Sequence, residues 1–540
     1  MSVVPKLSDF QVYKRICKAK KPNSSVPDDL PKKIVQEFAV ELATPVAIIF
    51  NSILSNLQYP RQWLTEFQVP LPKVHPPTSL DDLRNISKTA FFSKCFESFL
   101  ADWLLPIVSP YIDPCQFGLK GSSVYHFLLQ LLKFTHDYLD LKVPHAVAIA
   151  LVDQAKAFNR VSHQIVIEDL FNMHVPPWLL LILVSYLTGR TMKLTYNGST
   201  ASPRNLPGST PQGAFLGIFL FIVKYNGVSL RPSVPRIVFH CPFKLANCKD
   251  QMCSVHPKST HAIYVDDLAE AEAINLKSQL VPDSNTRPYP LSFHERTGKV
   301  FPSNKSLLQN NLLKVENFSK ENLLKINESK SKILFFNPST KYDFPPEFSF
   351  SSGANLEVLD SYKVVGIVIS QDLRWELNTQ AIYSKAMKKM WLLRRLKEIR
   401  LEEEIICDYY TKEIRTVAEF GAVIWHSGLT KSQTKLLEKI QKIALRIILG
   451  DKFVNYGHAC SILKLPLLSD RRVMLCTNFA LKLYKSKYSQ DFFLHSDNSV
   501  NTRFRKLVQE TQSNTKRAFN APHKYLARLV NENRSKLKNS

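Results

Sequence analysis

The chain has 540 residues, of which 45% are hydrophobic and 22% are charged, so it is long enough for about two to four folded domains. Its 71 Lys and Arg residues exceed its 46 Asp and Glu residues, which gives a formal net charge of +25. A surplus of this size favours nucleic acid as the partner. The longest apolar runs are well short of the roughly 20 residues of a membrane span, and the first residues contain no apolar signal core. We therefore expect an intracellular protein without a membrane segment, in the nucleus, the cytoplasm or both.

The first third of the chain is predicted to be mainly helical. Residues 1–40 are basic and rich in Pro and Ser, which predicts a flexible entry with little core. Residues 37–57 have the apolar spacing of a helix, and the prolines of the short extended run at 67–74 suit an edge strand. Two amphipathic helices are predicted between there and residue 140.

The next segments contain strands, and one of them ends on an acid. Residues 145–153 (HAVAIALVD) form an apolar run of strand length that ends on Asp153. Helices are predicted from about Ser162 and over PPWLLLILVSYL, and Asn197-Gly198 predicts a two-residue hairpin. A loop containing Gly, Pro and Gln then leads into another apolar helix.

Two adjacent acids, Asp266 and Asp267, follow the strand-forming residues Tyr264 and Val265. Side by side at the tip of a hairpin, two carboxylates repel each other unless a cation neutralises them. Alone, such a pair is more typical of a solvated turn or a helix cap. Together with Asp153 as a third carboxylate, the pair indicates a metal site.

Residues 228–262 are predicted to be an insertion with four candidate zinc ligands, Cys241, Cys248, Cys253 and His256. Their spacing fits no zinc-binding pattern, so reduced thiols in a surface loop are favoured over zinc. The chain's nine cysteines lie mostly among apolar neighbours, which suits reduced thiols.

The second half of the chain is predicted to change from a linker to strands and then to basic helices. Residues 270–305 are polar and rich in Pro, which predicts a linker or long loop. A helix, a turn at Asn327, a strand and a hairpin around Gly366 follow. The clearest helix ends at Gly450 and carries a basic stripe, which is either an ordinary solvated face or a surface that follows phosphates: Lys431, Lys435, Lys439, Lys442 and Arg446.

The order of these motifs resembles the reverse transcriptase of non-LTR retrotransposons. The similar blocks are ALVDQAKAFNRVSH, LPGSTPQGAFLG, YVDD, LLKINESKSK and YKVVGIVISQDLRW, with VPLPKV and LRNIS upstream, and the likeness extends from about residue 12 to residue 480. It implies an α/β (α+β) chain with the right-hand polymerase fold. The expected parts are a basic N-terminal entry (1–40), fingers (41–140), a palm with an antiparallel sheet and helices (141–375), a helical thumb-like region (376–485) and a basic tail (486–540).

The resemblance also implies RNA-directed DNA polymerisation, with an RNA template, a DNA primer and dNTPs as partners. Two Mg²⁺ ions, with Mn²⁺ as an alternative, would be held by Asp153, Asp266 and Asp267. Lys330 matches a family lysine near the pyrophosphate, a candidate general acid, although it is also one of several solvated lysines. The residues implied for nucleotide binding are Lys73, Arg84, Phe158, Gln212 and Gly213, where Phe158 matches the aromatic that excludes a ribose 2′-OH and is otherwise a plain core residue.

The sequence departs from the family at several positions. Asn159 replaces the usual Asp, Ile218 lies where Pro is common, and Asn85 replaces the usual Pro, which we expect to loosen the turn that aims Arg84. The chain begins almost at the fingers, so we expect it to lack an N-terminal endonuclease, and no RNase H pattern is visible. Two alternatives therefore stay open: a catalytically inactive, truncated remnant that still binds nucleic acid, and a maturase of the group II intron type.

Overall fold

A computed structural model describes most of the chain. The described residues are 3–19, 26, 30–74, 76–206, 208–211, 214–228, 259–275, 291–294, 299–302, 306–338, 347–496 and 506–538. The four candidate zinc ligands and the nucleotide-binding candidates Gln212 and Gly213 lie outside them.

The described residues form fourteen strands and twenty α-helices. The strands are β1 Thr65–Pro72, β2 Leu83–Lys88, β3 His145–Val152, β4 Thr191–Tyr196, β5 Ser199–Thr200, β6 Arg204–Asn205, β7 Ser259–Tyr264, β8 Asp267–Asn275, β9 Leu291–His294, β10 Lys299–Pro302, β11 Lys332–Phe336, β12 Glu357–Leu359, β13 Ser361–Val364 and β14 Ile367–Ser370. The helices are α1 Asp9–Lys18, α2 Lys32–Glu37, α3 Ala39–Asn56, α4 Phe91–Val108, α5 Val124–Leu139, α6 His163–Asn172, α7 Pro177–Leu187, α8 Phe215–Tyr225, α9 Leu307–Glu321, α10 Glu376–Glu398, α11 Glu403–Tyr409, α12 Arg415–Glu419, α13 Ala422–Trp425, α14 Lys431–Leu449, α15 Tyr456–Ile462, α16 Leu468–Lys485, α17 Ser489–Phe492, α18 Lys516–Phe519, α19 Pro522–Glu532 and α20 Ser535–Lys538.

These elements belong to two compact units. The first contains Met1–Leu119, Gln154–Leu230 and Lys314–Asn327, and the second contains Lys120–Asp153, Arg231–Leu313 and Glu328–Ser540. The chain is thus a mixed α/β protein, as predicted. The units cut across the expected subdomain boundaries, because one unit holds both the sheet around β3 and the C-terminal helices.

The second unit is built on a five-stranded sheet with the order β12-β11-β3-β8-β7. All eight residues of β3 are buried. This strand pairs antiparallel with β11 on one side and with β8 on the other. The sheet is antiparallel except for the β11–β12 pair. Helix α5 packs on β3 and β7, which explains why its apolar face is also buried.

The first unit contains another five-stranded sheet, in which β1 lies between β2 and β4. β1 pairs antiparallel with β2 from Phe67 to Pro72 and parallel with β4 from Thr65 to Gln68. The expectation of an edge strand at 67–74 is therefore wrong for Phe67 and Gln68, whereas from Val69 to Pro72 the strand pairs with β2 alone. The pairing with β4 ends at Gln68. Pro70 and Pro72 come after that point, so their missing N–H groups leave this parallel ladder intact.

The first unit also buries a cluster of polar side chains below this sheet. Glu97 and Arg190 are each about 1% exposed. Burial raises the pKa of Glu97 to about 7, although Arg190 and a hydrogen bond from Ser93 oppose the shift. Ser93 in turn shares a 2.8 Å hydrogen bond with the Tyr59 hydroxyl. The cluster therefore links α4, where Glu97 lies, to the segment just before β4.

Several further expectations are corrected by the described residues. The segment 270–305 is not simply a linker, since β8 continues to Asn275 and β9 pairs with β10 in a hairpin. β7 begins at Ser259, inside the expected insertion 228–262. The expected basic tail is folded over residues 506–538, where it includes α18 and α19. Its basic composition concealed the apolar stripe of α19, whose Leu526, Leu529 and Val530 are buried.

One described helix, α3, is long and apolar enough to cross a membrane by length and composition alone. It packs against α1, and its Phe50 and Leu54 are buried in the first unit. Buried core helices of soluble domains have the same composition. The six described cysteines are all free thiols, which agrees with the expectation of reduced cysteines.

Two buried histidines lie at the contact between α5 and α19 in the second unit. Burial lowers the pKa of His136 to about 3, and the nearby His523 and Arg517 add to the effect. Burial also lowers the pKa of His523, against the influence of Asp137. Both imidazoles are therefore neutral in the folded protein near neutral pH.

Acidification is expected to destabilise the protein through His136. Its pKa is about 6.5 in the unfolded chain, so below that pH the unfolded state binds more protons than the folded state. The stability that comes from the neutral His136 is complete above about pH 6.5. It is lost as the pH falls towards the His136 pKa of about 3 in the folded protein. Between about pH 7.5 and about pH 5, the His136 contribution to the free energy of unfolding should fall by about 2 kcal/mol.

Urea denaturation at both pH values measures this loss. His136→Asn should reduce the difference in unfolding free energy between the two pH values, whereas His458→Asn, at an exposed histidine, should leave it unchanged. The same pH dependence in all three proteins would contradict the assignment.

Candidate active site

The strand register of the second unit brings the three predicted acids to one end of the sheet. β3 pairs with β8 up to Val152 and Leu268, so Asp153, the next residue along β3, comes level with Asp267. Neighbouring strands are about 4.8 Å apart. Asp153 and Asp266 are half-buried and Asp267 is exposed. The carboxylates therefore lie at the solvent-accessible end of a buried sheet.

A two-residue turn, Val265-Asp266, joins β7 to β8, and the residues on either side of it pair with each other. Val265 has a φ of 61°, in the left-handed region that β-branched residues rarely adopt. Such a conformation costs on the order of 1–3 kcal/mol. The hairpin fixes the position of Asp266 by its tight turn, and the surrounding sheet must hold the strained Val265.

Ser331 fixes the backbone at Asp153. The Asp153 N–H donates a hydrogen bond of 3.1 Å to Ser331 Oγ, and Ser331 is fully buried. Sequence reasoning singled out Lys330 in this turn but missed Ser331. Lys330 itself is exposed and lies in the turn before β11, two residues before Lys332, which pairs with Leu151 near the end of β3. The structure therefore brings Lys330 to the same end of the sheet as the acids.

Tyr362 is a further side chain near the acids that the sequence did not reveal. It lies in β13, three residues after the end of β12. Burial raises the pKa of the Tyr362 hydroxyl, and the negative charges of Asp153 and Asp267 raise it further. The phenol therefore stays protonated and can donate a hydrogen bond at this end of the sheet.

The first unit carries the candidate cations Lys73 and Arg84 on one hairpin. Both are exposed, Lys73 directly after β1 and Arg84 within β2. The Lys73 N–H donates to the Asp82 carbonyl oxygen at 2.7 Å, which closes the hairpin. Asn85 pairs with Pro70 in the regular ladder, so the expected loosening of a turn at this position is wrong.

Phe158 lies in a short 3-10 helix of the first unit and is half-buried. Its ring stacks on Phe221 with the centroids 4.9 Å apart. The Thr210 N–H donates to the Phe158 carbonyl oxygen at 3.0 Å, which attaches the described start of the PQG loop to this helix. A Cβ at Gly217 would lie 2.5 Å from the Pro211 carbonyl oxygen, so glycine is required there for the loop to approach α8.

The basic stripe of α14 is fully exposed along Lys431, Lys435, Lys439, Lys442 and Arg446. The opposite face packs against α10. On the buried side of α14, Gln441 Oε1 accepts a hydrogen bond of 2.7 Å from the Tyr410 hydroxyl. The stripe is therefore one continuous positive face on a well-anchored helix.

Carboxylates at the ends of adjacent antiparallel strands, in a chain that also carries an exposed basic helix face, are typical of metal-dependent enzymes that act on nucleic acids. Residues 71–279 match the model of the family described as reverse transcriptase (RNA-dependent DNA polymerase). Residues 71–279 are therefore similar to reverse transcriptases, and the predicted resemblance to non-LTR retrotransposon enzymes is confirmed.

A curated relative is the RNA-directed DNA polymerase from the mobile element jockey of Drosophila melanogaster. The two are 27% identical over 208 residues, which are 38% of this chain and 22% of the relative. The match thus spans about a fifth of the relative's length.

Replacing Ser331 with Ala should lower the rate of catalysis without weakening nucleic-acid binding, because it frees the backbone that carries Asp153. We expect a loss of about 10-fold in rate, since small displacements of a reacting group are costly. Single-turnover nucleotide incorporation measures the rate, and filter binding measures affinity. Ser329→Ala, at an exposed position of the same turn, is the control, and equal rates in both variants would contradict the role of Ser331.

Proposed function

We propose that this chain catalyses RNA-directed DNA synthesis, in which the 3′-oxygen of a DNA primer attacks a dNTP and pyrophosphate leaves. The observation that carries the proposal is the register that sets Asp153 level with Asp267 and beside the Asp266 turn. The reverse transcriptase family match supports the same reaction.

The right-hand layout belongs to this proposal. The five-stranded sheet would be the palm, the β1–β2 hairpin would belong to the fingers, and the helices from α10 onward would form the thumb-side extension. The support is the order of elements along the chain and the position of the acids at one end of the sheet.

The acids fit a pair of divalent cations. All the side chains offered are carboxylates on two adjacent strands, and oxygen ligands are what Mg²⁺ and Mn²⁺ prefer. Asp153, Asp266 and Asp267 would hold the ions. When bound, two such ions stabilise the charge on the attacking and leaving oxygens. The protein's part is to hold the carboxylates in place through the β3–β8 register and the Ser331 hydrogen bond.

The remaining predicted residues would bind and orient the nucleotide. The exposed cations Lys73 and Arg84 suit the triphosphate, and the guanidinium can make a bidentate contact. Phe158 would exclude a ribose 2′-OH with the part of its ring that Phe221 does not cover. Lys330 would give a proton to the leaving pyrophosphate. Gln212 and Gly213 would line the nucleotide and template side.

Primer extension on an RNA template with a DNA primer, dNTPs and Mg²⁺ tests the reaction. We expect the natural protein to extend the primer, and Asp266→Asn to lose about 10²–10³-fold or more in rate, the scale at which lost transition-state stabilisation is measured in enzymes. Asp451→Asn, at an exposed acid among the C-terminal helices, is the control. Extension by both Asp variants would contradict the site. Binding of primer–template by all three proteins without extension would instead indicate an inactive remnant.

The exposed stripe on α14 should follow a nucleic-acid backbone. Each phosphate contact removed lowers the dependence of log affinity on log salt by about 0.7–0.9. The double variant Lys435→Gln/Lys439→Gln should therefore flatten this slope by roughly 1.5, as measured by fluorescence anisotropy with a primer–template. The control is Lys482→Gln, at an exposed lysine on α16 outside the stripe, which should change the slope of log affinity against log salt by less. An unchanged slope in the double variant would indicate that the stripe is an ordinary solvated face.

A further inference from the structure

The C-terminal end of α5 holds a buried carboxylate that binds a distant segment of the chain. Asp140 follows the last residue of α5 and is 8% exposed. It accepts hydrogen bonds from the N–H groups of Asn514 and Thr515, at 3.1 and 3.0 Å, and from Thr515 Oγ1 at 3.0 Å. The Asn514 side-chain amide also donates to the Asp140 carbonyl oxygen at 2.6 Å. Asn514 and Thr515 both lie more than 370 residues after Asp140 in the sequence.

The same segment contributes two buried side chains to this contact, a lysine and a histidine. Lys524 Nζ lies 3.5 Å from Asp140, and His523 Nε2 lies 3.2 Å from Asp137 on the preceding turn of α5. Burial opposes ionisation of Asp137, but Lys133 and His523 keep its pKa below the usual range. A carboxylate at a helix C-terminus is unfavourable beside the helix dipole. The donors of residues 514–524 are therefore what stabilises Asp140 in its buried position.

Helix α5 connects this contact to the strands that carry the acids. Its Gln130 Nε2 donates to Thr260 Oγ1 of β7 at 3.0 Å, six residues before Asp266. Its Tyr138 ring packs on His145, the first residue of β3, with the centroids 5.5 Å apart. A shift of α5 would thus displace both strands whose ends form the site.

We propose that residues 513–524 are a positioning element of the nucleotidyl-transfer site, with Asp140 as the positioning residue through which they act on α5 and the sheet. The inference rests on the proposed polymerase function. Asp140 itself lies at the far end of β3 from Asp153, since α5 meets the first residue of that strand. Its effect is therefore on the placement of the acids and not on the chemistry.

Geometry explains why such an element matters. A displacement of about 1 Å in a reacting group lowers a rate by roughly 100-fold. β3 is buried on both faces and close-packed, so it transmits a shift of α5 along its length. Loss of the Asp140 contacts should therefore lower the rate of nucleotide addition while leaving the nucleic-acid surfaces in place.

The test compares two variants that break contacts of the same C-terminal region. Asp140→Ala removes the hydrogen bonds and the ion pair that the Asp140 carboxylate makes with Asn514, Thr515 and Lys524. Asn531→Ala removes hydrogen bonds of similar number within the region, where Asn531 accepts from Leu507 and Val508 and donates to Val508 and Glu510, without touching α5. Thr515→Val removes one donor to Asp140 and serves as the milder variant if Asp140→Ala does not fold.

Three quantities are measured on the full-length chain: the single-turnover rate, the dissociation constant for primer–template, and the Mg²⁺ concentration that gives half-maximal rate. We expect Asp140→Ala to lower the rate about 10- to 100-fold, to raise the half-saturating Mg²⁺ concentration and to leave primer–template affinity within about twofold. Asn531→Ala should keep all three near the natural values, and Asp140→Asn, which retains the acceptor oxygen, should recover part of the rate. A folded Asp140→Ala protein (or Thr515→Val, if needed) with natural rate and Mg²⁺ dependence would overturn the proposal, as would equal losses in Asn531→Ala.

Hydrogen exchange separates failure of this proposal from failure of the proposed function. If the natural protein extends no primer, faster amide exchange in residues 145–152 and 259–264 of Asp140→Ala, but not of Asn531→Ala, would still support the link through α5. Unchanged exchange in those strands would overturn the link, whatever the enzymatic result.

Discussion

The antiparallel pairing of β3 with β8 is the constraint on which the rest of the site depends. Because side chains alternate between the two faces of a strand, a slip of one residue would exchange the faces of all eight β3 side chains. All eight are buried, so the slip would be costly on both faces and the register is fixed by packing. The same register sets Asp153 level with Asp267 and next to the strained turn at Val265. Core packing thus determines where the acids meet.

The carboxylates of this protein lie in two different environments. Those with a structural role, such as Glu97 in the first unit and Asp140 in the second, are buried and surrounded by donors. The three acids at the end of the five-stranded sheet around β3 are exposed or half-buried, where ions and phosphates can reach them. The local negative charge of these three acids is what a divalent cation would neutralise, while the basic helices would attract nucleic acid.

Local sequence patterns were sufficient for much of this arrangement. The apolar run that ends on Asp153, the Asn197-Gly198 turn and the hairpin at Val365-Gly366 are encoded by neighbouring residues, and each forms as expected. Contacts between distant residues were not predictable in this way. Nothing near Ser331 indicates that its hydroxyl meets Asp153, and the prolines of β1 concealed that it pairs on both sides. The C-terminal region looked like a basic tail because Lys524 and His523 find their partners on a helix almost 400 residues away.

The most direct test of the central claim is the number of divalent ions that the site holds. Electron paramagnetic resonance of Mn²⁺, in the presence of primer–template and a non-hydrolysable dNTP, counts the bound ions in the natural protein and in Asp153→Asn. If Asp153, Asp266 and Asp267 form one site, the natural protein binds two ions tightly and the variant binds fewer. Two tightly bound ions in both proteins would show that Asp153 is not a ligand and would contradict the account.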